Sequence, residues 1–293
     1  MARTNQRRSQ NVAGNFYVDH TCIDCDTCRW MAPEVFTRID KQSAVYNQPI
    51  NDTEKLKAYQ ALLSCPTSSI GTVNKPDDIK SVHQSFPILI ADNVYDCGYH
   101  SELSFAATSY LIVRPQGNIL IDSPRFSSPL VKRLEEMGGI KYMYLTHRDD
   151  IADHQKFQAH FQCDRILHID DITDKTFDVE IKLSGTNHIN FAPDILIIPV
   201  PGHTLGHTVL LYKNKFLFTG DHLAGNTEFN RLIAFHDFCW YDWQEQIKSM
   251  EKLLDYRFEW VLPGHGRRYH TNLEFMRSKL KKCIDWMMVV DSN

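Results

Sequence analysis

The chain lacks the features of several protein classes. No apolar run approaches the roughly 18 residues that a membrane-spanning helix needs, and none follows the three arginines of the opening "MARTNQRRSQ" as a secretory signal would require. The net charge of −4 gives no basic excess for binding nucleic acid. The sequence contains no internal repeat and no low-complexity tract. We therefore expect a soluble, cytoplasmic protein that binds neither membranes nor nucleic acid.

The cysteine content is too low for a disulfide scaffold, with eight cysteines in 293 residues. Three of them are crowded within the segment "CIDCDTC", and in a reducing compartment such crowding indicates metal or cluster ligation. A hydrophobic content of 43% and a charged content of 23% are ordinary for a globular protein. The length predicts two domains of unequal size.

Changes in the residue pattern along the chain predict where these domains lie. We predict a flexible N-terminal arm at 1–14, a compact cysteine-bearing domain at 15–71, a polar linker at 72–84 and a larger domain at 85–293. Helical patterns such as "NDTEKLKAYQALLS" and "SSPLVKRLEEM" alternate with short apolar runs such as "YLIV" and "ILID". Strands interleaved with helices indicate an α/β core.

The crowded cysteines have the spacing C-x2-C-x2-C, and Cys65, followed by Pro66, can supply a fourth thiolate. Ferredoxins with two clusters continue this motif with x3-C-P, but here Ala32 stands at the last cysteine position before Pro33. Residues 17–70 therefore resemble a single-cluster bacterial ferredoxin, a small α+β fold. The resemblance implies one [4Fe–4S] cluster on four ligands: Cys22, Cys25, Cys28 and Cys65. A [3Fe–4S] cluster and a structural zinc ion are the alternatives.

Potential metal ligands occur in four further segments: "THRDDIADH" at 146–154, "PGHTLGH" at 201–207, "FTGDHL" at 218–223 and "LPGHG" at 262–266. Each places histidine or aspartate at or just after the end of an apolar strand. Because strand ends at one edge of a sheet converge, their loops can share one site.

This series resembles the metallo-β-lactamase superfamily, in which an H-x-H-x-D-H motif precedes a histidine, a bridging aspartate and a last histidine. The resemblance covers about residues 85–270 and implies a four-layer αββα metallo-β-lactamase sandwich with a two-metal site. The positions that match the family's ligands are His147, His203, Asp221 and His265.

The chain departs from the family motif after its first histidine. Asp149 stands where the second histidine is expected, and the aspartate–histidine pair comes two residues late, at Asp153 and His154. We interpret this as a longer loop that returns the pair to the site, with Asp150 as a rival to Asp149. The prediction places His147, Asp149 and His203 on one ion. It places Asp153, His154 and His265 on the other, with Asp221 between the two.

The resemblance implies a hydrolase that uses a metal-bound hydroxide on an ester, thioester or lactone, with Asp153 and Asp221 as catalytic residues. Zinc, iron and manganese all accept this ligand set, and its carboxylates favour iron or manganese. The expected partners are a small-molecule substrate and a redox partner protein. The oligomeric state is left open by the sequence.

Two other functions fit the same residues. The protein could be a di-iron oxidoreductase that receives electrons from the ferredoxin domain, or a non-catalytic redox-responsive protein. The ring-rich segment 229–243 could form a wall for the substrate or could simply pack. His207 and His222, next to the assigned ligands, could orient those ligands, donate a proton to a leaving group or act as ordinary hydrogen-bonded histidines.

Overall fold

A computed structural model describes residues 2–76, 78–226 and 229–291. The chain forms two compact units. The first comprises the residues up to Lys141 together with Gln155–Phe161, and the second comprises Tyr142–His154 and the residues from Gln162 onward. The predicted domain boundaries near residues 14, 71 and 84 stay predictions.

The first unit consists of short strands and helices in alternation. In chain order they are β1 Phe16–Val18, α1 Thr27–Met31, β2 Phe36–Ile39, β3 Gln42–Val45, α2 Asp52–Ser64, β4 Ile70–Thr72, α3 Ile79–Gln84, β5 Ile88–Ala91, β6 Val94–Asp96, β7 Tyr110–Ile112, β8 Ile119–Ile121 and α4 Ser128–Glu136. Short 3₁₀ turns lie at Thr4–Gln6 and Glu102–Ser104.

The cysteine-bearing part of this unit is α+β, as predicted. Strand β1 pairs antiparallel with β4, and β2 pairs antiparallel with β3. Helix α2 begins after Asn51, whose side chain accepts a hydrogen bond from the Glu54 amide, a standard N-cap. Cys65 follows α2 directly, which fixes the fourth cysteine at a helix end.

The remaining strands of the first unit, β5 to β8, form an antiparallel meander. The two apolar runs "YLIV" and "ILID" form a hairpin, in which Tyr110 pairs with Ile121 and Ile112 with Ile119. Helix α4 has Ser127 at its N-cap position and Pro129 in its first turn, where proline leaves no backbone donor unpaired.

The second unit contains the longer strands. The next elements in chain order are β9 Tyr142–Tyr144, α5 His154–Phe161, β10 Asp164–His168, β11 Ile181–Leu183, β12 Ile189–Ala192, β13 Ile195–Pro199, β14 Thr208–Tyr212, β15 Phe216–Gly220, β16 Ala224–Asn226, β17 Arg231–Ile233, α6 Trp243–Lys252, β18 Trp260–Pro263, β19 Tyr269–His270 and α7 Leu273–Asp291. Short 3₁₀ turns lie at Ile169–Asp171, His236–Phe238 and Leu253–Asp255.

A six-stranded sheet forms the centre of this unit, in the order β12-β13-β14-β15-β18-β19. Strands β15 and β18 are parallel and the other pairs are antiparallel. The sheet and helices α6 and α7 enclose an apolar core that includes Val209, Leu217, Met250 and Leu280. Strand β10 pairs in parallel with β9 on one side and with β11 on the other. Within the described residues, no helix combines the length and apolar character needed to cross a membrane.

The segment predicted as a flexible arm instead packs against neighbouring strands. Arg8 is only 2% exposed, and its guanidinium donates hydrogen bonds to the carbonyl oxygens of Ser43 and Ile39. Its main-chain amide donates to Val18. Its hydrogen-bond partners allow this arginine to be buried. The composition of residues 1–14 does not predict such contacts.

We expect Arg8→Ala to lower the free energy of unfolding of the first unit by about 2 kcal/mol, because the buried carbonyl of Ser43 and the part-buried carbonyl of Ile39 lose a charged donor. Arg7→Ala removes hydrogen bonds that are exposed, to Val12 and Gly14, and should cost less than about 1 kcal/mol. Urea unfolding of the two variants measures the difference. Equal urea midpoints for the two variants would show that the buried contacts of Arg8 contribute no more to stability than the exposed contacts of Arg7.

Candidate active site and cluster-binding cysteines

The crowded cysteines lie on a tightly wound loop. Asp24 and Asp26 separate them and adopt left-handed backbone conformations, with φ of 61° and 68°, which aspartate tolerates better than most residues. Arg29 holds both carboxylates, with its Nη1 2.7 Å from Asp24 and its Nε 2.6 Å from Asp26. One pocket is lined by all four predicted sulfur ligands, three from this loop (Cys22, Cys25 and Cys28) and Cys65 from the end of α2.

The surroundings of these sulfurs fit an iron–sulfur cluster. Burial raises the pKa of the Cys25 thiol to about 11 and also raises the pKa of Cys65, so the thiolate forms need a cationic partner. The Ser43 amide donates to Cys22 Sγ at 3.4 Å, and the Ser69 amide donates to Cys65 Sγ at 3.3 Å. Hydrogen bonds from amides to sulfur are a main means by which proteins tune such clusters.

The second candidate site is built where strands of the second unit end. His147 comes three residues after β9, His203 follows β13, and Asp221 comes directly after β15. Because β15 and β18 are parallel, with Gly220 opposite Pro263, their following loops leave the sheet side by side. The Gly264 amide donates to the Gly220 carbonyl at 2.8 Å, which places His265 next to Asp221.

The ligand atoms of these loops converge. His203 Nε2 lies 3.4 Å from Asp149 Oδ2 and 3.8 Å from Asp221 Oδ2. His147 Nε2 lies 3.9 Å from one oxygen of each of the same two carboxylates. His265 Nδ1 lies 2.8 Å and 2.9 Å from the two oxygens of Asp221. Five predicted ligands therefore surround one small volume.

The protonation states suit a cation. Burial lowers the pKa of His147 to about 4, so its imidazole is neutral at neutral pH. The neighbouring His203 imidazole, whose Nε2 lies 3.4 Å from Asp149 Oδ2, holds the pKa of Asp149 below its ordinary value. Burial opposes ionisation of Asp221, but His265, His147 and His203 together outweigh it and hold that pKa below its usual range. Within the described residues, the buried Nε2 atoms of His147 and His203 have no hydrogen-bond partner, which leaves their lone pairs available.

Asp150, the rival in the sequence interpretation, lies in the site as well. It is 1% exposed, and its carboxylate forms a second potential ligand group with His147 and Asp221. A Cβ atom at Gly264 would lie 2.6 Å from Asp150 Oδ2 and 2.9 Å from Asp221 Oδ1, so only glycine lets the two carboxylates approach there. Asp149 and Asp150 thus both face the candidate metal centre.

His154 lies away from this group. Its Nδ1 is 3.2 Å from Nη1 of Arg165, a guanidinium that Glu180 holds at 2.9 Å. Burial and this cation lower the pKa of His154. Neither His154 nor Asp153 belongs to the potential ligand groups found in the described part of the chain. The two-residue loop extension does not return His154 to the site, because this residue begins helix α5 with its ring beside Arg165.

Family comparison accounts for this site. Residues 80–279 match the family described as "Metallo-beta-lactamase superfamily". The chain belongs to the metallo-β-lactamase superfamily. Residues 18–72 separately match the family described as "4Fe-4S single cluster domain of Ferredoxin I". Both predicted resemblances are therefore confirmed, and the mixed α/β architecture with a small ferredoxin-like region is the predicted fold class.

Individual relatives of this metallo-β-lactamase superfamily member are distant. A curated protein named "Beta-lactamase-like protein 2 homolog", from Drosophila melanogaster, is 34% identical over 73 residues. That match covers 25% of this chain and 22% of the Drosophila protein. The crystal structure of VMB-1 superposes with a TM-score of 0.54 at 20% identity, covering 69% of this chain and 96% of VMB-1. A metallo-β-lactamase from Pontibacter korlensis gives 0.52 at 14% identity, covering 68% and 97%. These structures establish the fold.

Asp171 is a site residue that sequence reasoning missed. It is fully buried and accepts hydrogen bonds from the Arg148 amide at 3.0 Å, the Thr204 hydroxyl at 2.6 Å and the Gly206 amide at 2.9 Å. It therefore ties together the two loops that carry His147 and His203. No motif in the sequence marks it, since its partners lie 23 to 35 residues away.

The histidines beside the ligands have distinct positions. His207 Nε2 accepts a hydrogen bond from the Asp221 amide at 3.3 Å, and its ring stacks on that of His147 with centroids 4.8 Å apart. These contacts fit the ligand-orienting role, one of the three considered for it. His222 is fully buried, with its ring centroid 5.7 Å from that of His207.

Proposed function

We propose that the protein is a metal-dependent hydrolase acting on an ester, thioester or lactone. The observation that carries the proposal is the convergence of two potential ligand groups that share one histidine. One comprises His147, Asp149 and His203, and the other comprises His147, Asp150 and Asp221. Two adjoining ligand groups of this kind suit a pair of divalent ions.

In the proposed centre, His147, Asp149 and His203 hold one ion, Asp150 and His265 hold the other, and Asp221 lies between them. Divalent ions in such a pair lower the pKa of water to near neutrality and polarise a substrate carbonyl. Three carboxylates among six ligands make a hard donor set, which favours iron or manganese over zinc. Asp150 replaces Asp153 and His154 in this assignment.

Asp149 has a further role in the proposal. Its side chain is 44% exposed, whereas Asp150 and Asp221 are buried. A carboxylate oxygen that reaches solvent can accept the proton of an incoming water molecule and pass it to bulk solvent. We therefore transfer the proton-handling role predicted for Asp153 to Asp149.

The ring-rich segment offers a wall for the substrate. The Trp240 amide donates to the His203 carbonyl at 2.9 Å, and the indole lies 6.2 Å from the His203 ring. Trp240 is 57% exposed and contacts the equally exposed Phe238 edge to face. An apolar acyl or leaving group can bury these rings on binding.

We expect Trp240→Ala to raise KM about tenfold, equivalent to about 1.4 kcal/mol of binding, with little change in kcat. The reason is that the indole would contact the substrate away from the reacting carbonyl. Steady-state kinetics with an aryl ester measures this effect. Phe275→Ala is the control, because Phe275 on helix α7 is similarly exposed at 58%. A fall in kcat with constant KM would place Trp240 in the chemistry instead.

A second function, a di-iron oxidoreductase, is favoured by the four cysteines that converge on one pocket of the first unit. A cluster there carries single electrons, and hydrolysis consumes none. The same His/Asp centre loaded with two irons would then receive electrons through the cluster from a reductase partner. The proposed redox partner protein belongs to this alternative.

One experiment separates the two functions. Protein purified without oxygen is assayed anaerobically, with and without dithionite, for hydrolysis of aryl ester, thioester and lactone probes, and separately for oxygen uptake with NADPH and a ferredoxin reductase as the electron source. The hydrolase proposal predicts turnover that is lost with a chelator, restored by added metal and unaffected by dithionite. Oxygen uptake without hydrolysis contradicts it and supports the oxidoreductase. Absence of both activities supports the non-catalytic, redox-responsive alternative.

A further inference from the structure

A buried polar contact links the cysteine pocket to a histidine beyond the ferredoxin match. Thr27 lies between Cys25 and Cys28, and its Oγ1 is 3.5 Å from Cys25 Sγ. The same Oγ1 is 3.1 Å from Nδ1 of His100. Thr27 is 2% exposed and His100 is fully buried, so water does not compete for this contact. His100 belongs to residues 80–279, the metallo-β-lactamase match.

The directions of these hydrogen bonds follow from the chemistry of a ligated sulfur. Cys25 holding iron is a thiolate and has no proton, so a hydrogen bond between the two groups requires the single hydroxyl proton of Thr27 to point at Cys25 Sγ. Thr27 Oγ1 then accepts, and His100 Nδ1–H donates. His100 therefore holds the Thr27 hydroxyl in the orientation that donates to sulfur.

This donor differs from the main-chain donors around the pocket, and a second threonine hydroxyl, Thr67 Oγ1, lies 3.8 Å from Cys65 Sγ. Cys22 and Cys65 accept from the main-chain amides of Ser43 and Ser69, which no side-chain replacement removes. Cys25 interacts with the Thr27 main chain and also with the Thr27 hydroxyl, whose orientation depends on a residue 73 positions away. Hydrogen bonds to cluster sulfur stabilise the more negative, reduced state and so raise the reduction potential.

We infer that Thr27 and His100 act as a positioning pair that raises the reduction potential of the cluster through Cys25. The metallo-β-lactamase part of the chain thereby sets the redox behaviour of the ferredoxin part. The inference rests on the proposed cluster at the four cysteines, and it holds whether the second metal centre performs hydrolysis or redox chemistry.

Two pairs of variants of the full chain test the inference. Thr27→Val and His100→Phe keep side-chain volume but remove the donors, whereas Thr27→Ser and His100→Asn retain them. His83→Phe is the matched control, since His83 is a partly buried histidine of the same unit that contacts Tyr99. The readouts are iron content and the midpoint potential from a dithionite titration followed by electron paramagnetic resonance.

We expect Thr27→Val and His100→Phe to retain the iron content of the wild type and to shift the midpoint to more negative potential. Thr27→Ser, His100→Asn and His83→Phe should stay near the wild-type potential. An unchanged midpoint in Thr27→Val and His100→Phe overturns the inference, and so does loss of the cluster in both, which would show a purely structural role. A wild-type chain without an iron–sulfur signal instead defeats the proposed cluster, and the inference with it.

Discussion

Asp150→Asn is expected to lose one of the two proposed metal ions and at least about 100-fold in hydrolytic activity, because the amide cannot replace a buried anionic ligand. His154→Gln is expected to keep both ions and most of the activity, since its ring faces Arg165. The two variants distinguish between two assignments of the metal ligands, one based on the structure and the other on motif spacing. Elemental analysis after anaerobic purification measures the metal content.

The opposite pattern would contradict the structural assignment. Loss of one ion in His154→Gln, with full occupancy in Asp150→Asn, would mean that the loop at 150–154 rearranges when metal binds. Helix content by circular dichroism serves as the folding control for both variants.

Asp171→Ala is expected to weaken metal binding by about 10- to 100-fold, although Asp171 touches no metal in the proposed centre. Its carboxylate holds the Arg148 amide, the Thr204 hydroxyl and the Gly206 amide, and these flank His147, Asp149 and His203. Supporting residues that orient ligands contribute affinities of this order. A competition assay with a chromogenic chelator gives the dissociation constants.

The neighbouring Asp170 provides the matched control for Asp171. Its side chain is 47% exposed and its carboxylate lies 3.5 Å from His168. Asp170→Ala should therefore bind metal as the wild type does. Equal affinities in the two variants would show that the ligand loops keep their positions without the buried carboxylate of Asp171.

Much of the fold follows from local patterns in the sequence. The spacing of apolar residues, with Pro129 in a first turn, predicts α4, and the apolar runs around "RPQGN" predict the β7–β8 hairpin. These features depend on residues close together in the chain. The order of strands in the six-stranded sheet and the packing of Arg8 depend on distant partners, which periodicity does not report.

The candidate site likewise contains some residues whose positions follow from local sequence patterns and others whose positions depend on distant partners. His203, Asp221 and His265 follow strand ends, so the sequence alone predicts that they meet. The choice between Asp150 and the pair Asp153 and His154 depends on how a turn is wound. That turn ends where Arg165, held by Glu180, contacts His154, and such a contact has no local signature.

The central claim is that the loops after β9, β13, β15 and β18 form a metal centre separate from the cysteines. Elemental analysis of the full chain, purified without oxygen, tests this claim most directly. We predict about four irons with matching acid-labile sulfide, plus about two further divalent ions per chain. Cys65→Ala should lower the content of iron and sulfide from the cluster and leave the two further divalent ions bound. About four irons and no other metal in the wild type would contradict the account.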